Sequence, residues 1–107
     1  MPFTIRVVRQ PATAVLDVSG ELDLAAAVTL RSAITRTLDE GMLHLRLKLG
    51  ALTFVDAAGL QSLARARAEA LVRGGDLEVI EWGWALDRVV VGATARTLVG
   101  GAPSVDA

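Results

Sequence analysis

From Phe3 to Val8 the chain alternates apolar and polar positions, Phe3, Ile5 and Val7 against Thr4 and Arg6. That period of two marks a half-buried strand. Gln10-Pro11-Ala12 supplies a turn, and Thr13 to Ser19 resumes the alternation with Ala14, Leu16 and Val18 on one face. So short a link predicts an antiparallel hairpin. The period then lengthens. After Gly20-Glu21-Leu22, Asp23 stands where an N-cap belongs, and Leu24, Ala27, Val28, Arg31, Ile34 and Leu38 recur at helical spacing as far as Gly41, a C-cap candidate.

Period two returns with Leu43, Leu45, Leu47 and Leu49 against His44, Arg46 and Lys48, a third strand. The stretch from Leu52 to Leu63, L-T-F-V-D-A-A-G-L-Q-S-L, carries an apolar strand end (Phe54, Val55) into a second helix capped by Asp56. This helix is expected to turn Leu60, Leu63, Ala64, Ala68 and Leu71 inward, and Gln61, Ser62, Arg65, Arg67, Glu69 and Arg73 outward. Gly74-Gly75 ends it. Leu77 to Trp82 reads as a fourth strand and Trp84 to Ala95 as a last helix, weakened by Gly92 and three consecutive valines. Residues 100–107, with Pro103, read as a flexible tail.

The order β-β-α-β-α-β-α predicts an α/β fold: a four-stranded, mostly parallel sheet with one antiparallel edge strand and three helices. A chain of 107 residues is expected to form a single domain, over residues 1–99. Composition narrows the function more than the fold. Lys+Arg number 11 against Asp+Glu 12, a net charge of -1, which gives no footprint for nucleic acid or an anionic membrane. Absence of cysteine removes disulfides, thiolate metal sites and cysteine nucleophiles. No apolar run approaches the roughly 20 residues that span a bilayer. Met1-Pro2-Phe3-Thr4 lacks the basic flank and apolar segment of a secretory signal, so a soluble cytoplasmic protein is expected.

Catalytic chemistry finds little support. No glycine-rich turn leads into Lys-Ser/Thr, as a phosphate-binding loop requires, and Gly74-Gly75 follows a helix and so serves as its cap. His44 lies mid-strand on the polar side of the alternation, a surface position. Glu21, Asp23 and Asp56 all follow strand ends, and such a carboxylate cluster can hold a hard cation such as Mg²⁺. A receiver-type phospho-acceptor site would also need paired acids after the first strand and a lysine after a fifth. Neither is present, and helix capping accounts for Asp23 and Asp56 on its own. No enzyme activity, cofactor or metal is therefore expected.

Gly20-Glu21-Leu22-Asp23, then Leu52-Thr53-Phe54-Val55-Asp56-Ala57-Ala58-Gly59-Leu60, then Gly74-Gly75 before a strand, together resemble the STAS domain family. This is the fold of bacterial anti-sigma factor antagonists and of the cytoplasmic tails of sulfate transporters. The resemblance runs in order from about residue 3 to residue 95. It implies a module that regulates transcription by binding an anti-sigma factor of the kinase type. It also implies a hydroxyl residue directly after the turn aspartate, which that kinase phosphorylates to end the binding. Here that position is Ala57, and the next is Ala58. Alanine cannot accept a phosphoryl group.

Lys48 stands where the family usually has an acidic or amide residue, and Trp84 stands near the position of a usual proline. The expectation is thus a non-catalytic, non-phosphorylatable docking module, with Glu21, Asp23, Asp56, Ala57, Ala58, Gly59 and Gln61 as the partner-binding surface. The alternative is a STAS-like structural subunit of a transport or signalling assembly. Thr53 and Ser62 are the substitute acceptors to weigh, Thr53 at a strand end and Ser62 on helix surface. Trp82 and Trp84 serve either as a contact anchor or as a finish to the core.

Overall fold

The structure, a computed structural model, describes residues 2–90. Its elements are β1 (Thr4–Gln10), β2 (Thr13–Leu22), α1 (Leu24–Asp39), β3 (His44–Val55), α2 (Ala57–Val72), β4 (Asp76–Glu81) and α3 (Gly83–Val89). The strands lie in the order β1-β2-β3-β4, with β1 antiparallel to β2 and the other pairs parallel. The order and the mixed sheet agree with the pattern read from the sequence. The proposed tail and the end of the expected last helix lie outside the described residues.

One face of the sheet carries Ala14, Leu16 and Val18 from β2, Leu45, Leu47 and Leu49 from β3, and Leu77 and Val79 from β4, all buried. Helices cover that face and join the same core through Leu30, Ile34 and Leu38 of α1, Leu63, Ala66 and Ala70 of α2, and Leu86 of α3. On the other face the register aligns Arg6 with Asp17, Asp17 with Lys48, and Lys48 with Glu81. Charge therefore alternates in one row across four strands, and Lys48 completes it. Opposite charges in directly paired positions add a few tenths of a kcal/mol to about 1 kcal/mol each. The Arg6–Asp17 pair closes to 3.6 Å.

Strand and helix ends follow local chemistry. The hairpin turns through Pro11 and Ala12, with Ala12 in the left-handed region at φ 61°. β2 runs on past Ser19 to Leu22, through two register shifts around Ser19 and Gly20, so the strand outlasts its simple alternation. Both long helices end on the same motif. In α2, Gly75 N–H donates to Ala70 O (2.9 Å) and Gly74 N–H to Leu71 O (3.0 Å). In α1, Met42 and Gly41 donate likewise to Thr37 and Leu38. Gly41 and Gly74 take positive φ, 90° and 85°, the left-handed residue on which this closure turns.

α3 begins at Gly83, one residue before the expected start. It ends at Val89, and Val90 is extended, as suits a run of β-branched residues. β4 pairs with β3 only from His44 to Lys48, and α3 lies along the rest of β3 instead. Gly83 approaches closely there: a Cβ on it would stand 2.7 Å from Gly50 Cα.

The helical phases differ from those expected. The buried stripe of α1 is Ala26, Ala27, Leu30, Ile34, Thr37 and Leu38, leaving Leu24 and Val28 68% and 64% exposed. At about 100° per residue, those two lie roughly 100° and 140° from the centre of that stripe. In α2 the buried stripe is Gly59, Ser62, Leu63, Ala66 and Ala70. Leu60 and Ala64 are only partly buried, while Ala68 and Leu71 are exposed. Small residues are chosen for the inward side because α2 packs closely on its neighbours. Toward their C-terminal ends α1 and α2 are tied through Glu69, which accepts from Thr35 (3.1 Å) and Arg73 (3.0 Å) and lies 3.7 Å from Arg31. Arg73 also bonds Asp39, and that bond, ahead of Glu69, raises its guanidinium above the ordinary value.

Candidate functional site

Leu22 and Val55 are register partners at the C-terminal ends of two parallel strands, and each is followed by an aspartate that starts a helix. The two junctions are alike in detail. Asp23 has φ -100° and ψ -170°, and its Oδ1 accepts from Ala26 N–H at 2.9 Å. Asp56 has φ -102° and ψ -176°, and its Oδ1 accepts from Gly59 N–H at 2.8 Å. Each carboxylate satisfies one donor of a helix's first turn and places negative charge against the positive end of its dipole. The side-by-side aspartates expected from the sequence are therefore neighbours, and both act as caps.

Gly59 fixes how closely the second junction meets the first. A Cβ at this position would stand 2.2 Å from Leu22 O and 2.8 Å from Leu22 Cγ, so only glycine lets α2 begin there. Asp56 N–H donates to the same Leu22 carbonyl at 3.3 Å. Ala57 and Ala58 occupy the first two positions of α2, where a helix has no carbonyl of its own to accept their N–H groups. Ala57 is exposed and Ala58 half-buried. Glu21 and Gln61 are exposed on either side, Glu21 with Asp23 in one surface hollow and Gln61 with Ala58 in another.

The two substitute hydroxyls differ from each other. Thr53 lies near the end of β3 as expected, and its Oγ1 donates to Gly20 O at 3.3 Å. Ser62 does not lie on the surface. It is 4% exposed, and its hydroxyl donates to Gly59 O at 2.6 Å, because the true inward stripe of α2 includes it. His44 is exposed and pairs with Asp76 (3.0 Å). Trp82 is partly buried against the core, whereas Trp84 is 54% exposed, with the Arg88 guanidinium 5.9 Å above its ring. Among the described residues no three His, Asp or Glu side chains gather as a metal site would require. No described helix is long and apolar enough to cross a membrane.

Sequence reasoning missed the residues beside this junction. Leu24, Val28, Arg31 and Arg65 line an open groove with Ala58 and Gln61, between the N-terminal halves of α1 and α2. The signal lay in the phase of α1, where Leu24 and Val28 do not fit the stripe set by Leu30, Ile34 and Leu38.

A four-stranded mixed sheet whose two central strands end in twin capped helix starts is the architecture of a STAS domain. The family model for the STAS domain matches residues 4–105, and the chain belongs to that family. Among solved structures it is similar to an anti-sigma factor antagonist from Mycobacterium paratuberculosis, at 27% identity over 98% of this chain and 89% of that one, with a TM-score of 0.78. The anti-sigma factor antagonist SpoIIAA in its unphosphorylated form shares the fold, at 17% identity over 98% of this chain and 91% of that one (TM-score 0.66). Mglu shares it over 71% of this chain and 19% of its own, at 22% identity and a TM-score of 0.65. No curated protein matches the chain in sequence.

Proposed function

We propose that this protein is a non-catalytic docking module of the anti-sigma factor antagonist kind, which binds a kinase-type anti-sigma factor in the cytoplasm and is not switched at the usual site. The surface is formed by Glu21, Asp23, Asp56, Ala57, Ala58, Gly59 and Gln61. One observation carries the reading: Ala57 is exposed at the head of α2, next to a capping carboxylate, where a phosphorylated antagonist would present its hydroxyl. A phosphoryl group adds about -1.5 to -2 charges, and at this junction it would face both Asp23 and Asp56. An alanine keeps the surface in its uncharged, binding form. Neither Thr53 nor Ser62 replaces the acceptor on this reading, since each hydroxyl donates to a backbone carbonyl and Ser62 is buried.

The test is binding to purified kinase-type anti-sigma factors from the same genome, with and without ATP. Stable binding in both conditions, with no phosphoprotein formed, is expected. Ala57→Ser should then become phosphorylated and dissociate when ATP is added. Release of the unaltered protein by ATP, or no binding to any such kinase, would refute the reading and leave a subunit role in another assembly.

A further inference from the structure

The groove between the N-terminal halves of α1 and α2 is open, about 330 Å³ in volume, and among the described residues its lining carries no Asp or Glu. Leu24 and Val28 stand one helical turn apart on α1, both largely exposed, and Ala58 of α2 lies opposite. Its polar wall is cationic, with Arg31 and Arg65 and the amide of Gln61. Arg31 pairs with Glu69 at 3.7 Å, a carboxylate that it shares with Thr35 and Arg73. The Nε–H of Arg31 is buried without an acceptor among the described residues.

We infer that this groove receives a partner helix that carries an apolar stripe flanked by carboxylates. The inference rests on the docking reading above and adds the chemistry of the partner. An amphipathic helix buries its stripe on Leu24, Val28 and Ala58, in the manner of a helix laid in a hydrophobic groove. Its Asp or Glu side chains then meet Arg31 and Arg65, whose planar guanidinium groups suit paired carboxylate oxygens. A basic or neutral helix would leave Arg65 facing no counter-charge and the Arg31 Nε–H without an acceptor. The groove shares Ala58 and Gln61 with the proposed docking surface, so one partner can cover both.

The probe is a synthetic amphipathic peptide of about 15 residues, with a leucine stripe flanked by glutamates, titrated into isotopically labelled protein. Amide shifts at Val28, Ser32, Gln61 and Arg65 are expected to saturate. The same peptide with lysines in place of glutamates should bind at least about tenfold more weakly. Arg65→Glu and Val28→Asp alter exposed positions and should each weaken the acidic peptide by a similar factor, with an unchanged melting temperature as the control on folding. No saturable shifts, or equal affinity for the two peptides, would overturn the inference. If the acidic peptide discriminates but no kinase-type anti-sigma factor binds, the antagonist reading fails and the groove chemistry stands. If such a kinase binds and Val28→Asp leaves its affinity unchanged, the groove inference fails and the antagonist reading stands.

Discussion

Gly59 shows how one atom positions a site. The hydrogen in place of a Cβ lets α2 start against Leu22, the residue before the Asp23 cap. Gly59→Ala would force a carbon to 2.2 Å from a carbonyl oxygen, a contact relieved only by moving the helix. A loss of about 2–4 kcal/mol in urea unfolding is expected, the scale of overpacking at a fixed backbone. Asp56→Ala should cost less, about 1 kcal/mol, because it removes a cap and creates no clash. Near-equal losses for the two variants would contradict these roles. Both residues were legible in the sequence, Asp56 as a cap and Gly59 through family resemblance. The contact that requires the glycine was not, since it joins residues 37 positions apart.

Among the elements, strands were easier to read than helices. A period of two leaves only two phases, and the alternation of Leu43 to Leu49 chose the correct one for β3. A helix allows many phases, and an alanine-rich one such as α2 gives them similar weights. The expected inward face therefore followed the large side chains, while the folded helix turned its small ones inward. Ser62 and the Leu24–Val28 pair were both misplaced for that reason.

Lys48 is the opposite case, placed by the sheet register between two carboxylates. Its register partners are Asp17 and Glu81, so Lys48→Glu would set three carboxylates in a row. A loss of about 1–2 kcal/mol is expected in low salt, shrinking as salt is raised, measured by denaturant unfolding at two ionic strengths. A salt-independent effect would point to packing instead.

Across the whole molecule, the core lies on one face of the sheet, and the two tryptophans mark its limit. Trp82 packs against that core and Trp84 faces solvent. Iodide should therefore quench part of the native emission, and Trp84→Phe should remove the quenchable part and leave a blue-shifted remainder. Full quenching in that variant would contradict the placement of Trp82. The order of strand and helix patterns pointed to a layered α/β fold, yet said nothing about which surfaces stay apolar. That property depends on how three helices share one sheet face, which arises only when distant segments meet.

α3 has a further consequence through its position. Beyond Lys48 the last residues of β3 pair with no described strand on their outer side, and α3 occupies that flank, with Gly83 against Gly50. Its removal would bare a row of unpaired N–H and C=O groups, a template on which the same stretch of another chain can add. A chain ending at Glu81 should therefore not merely lose stability. It is expected to assemble into strand-linked polymers, seen as rising light scattering and a dye-binding cross-β signal, while the full chain at equal concentration stays clear. The segment after β4, which begins with α3, would then act as the guard that keeps the domain discrete.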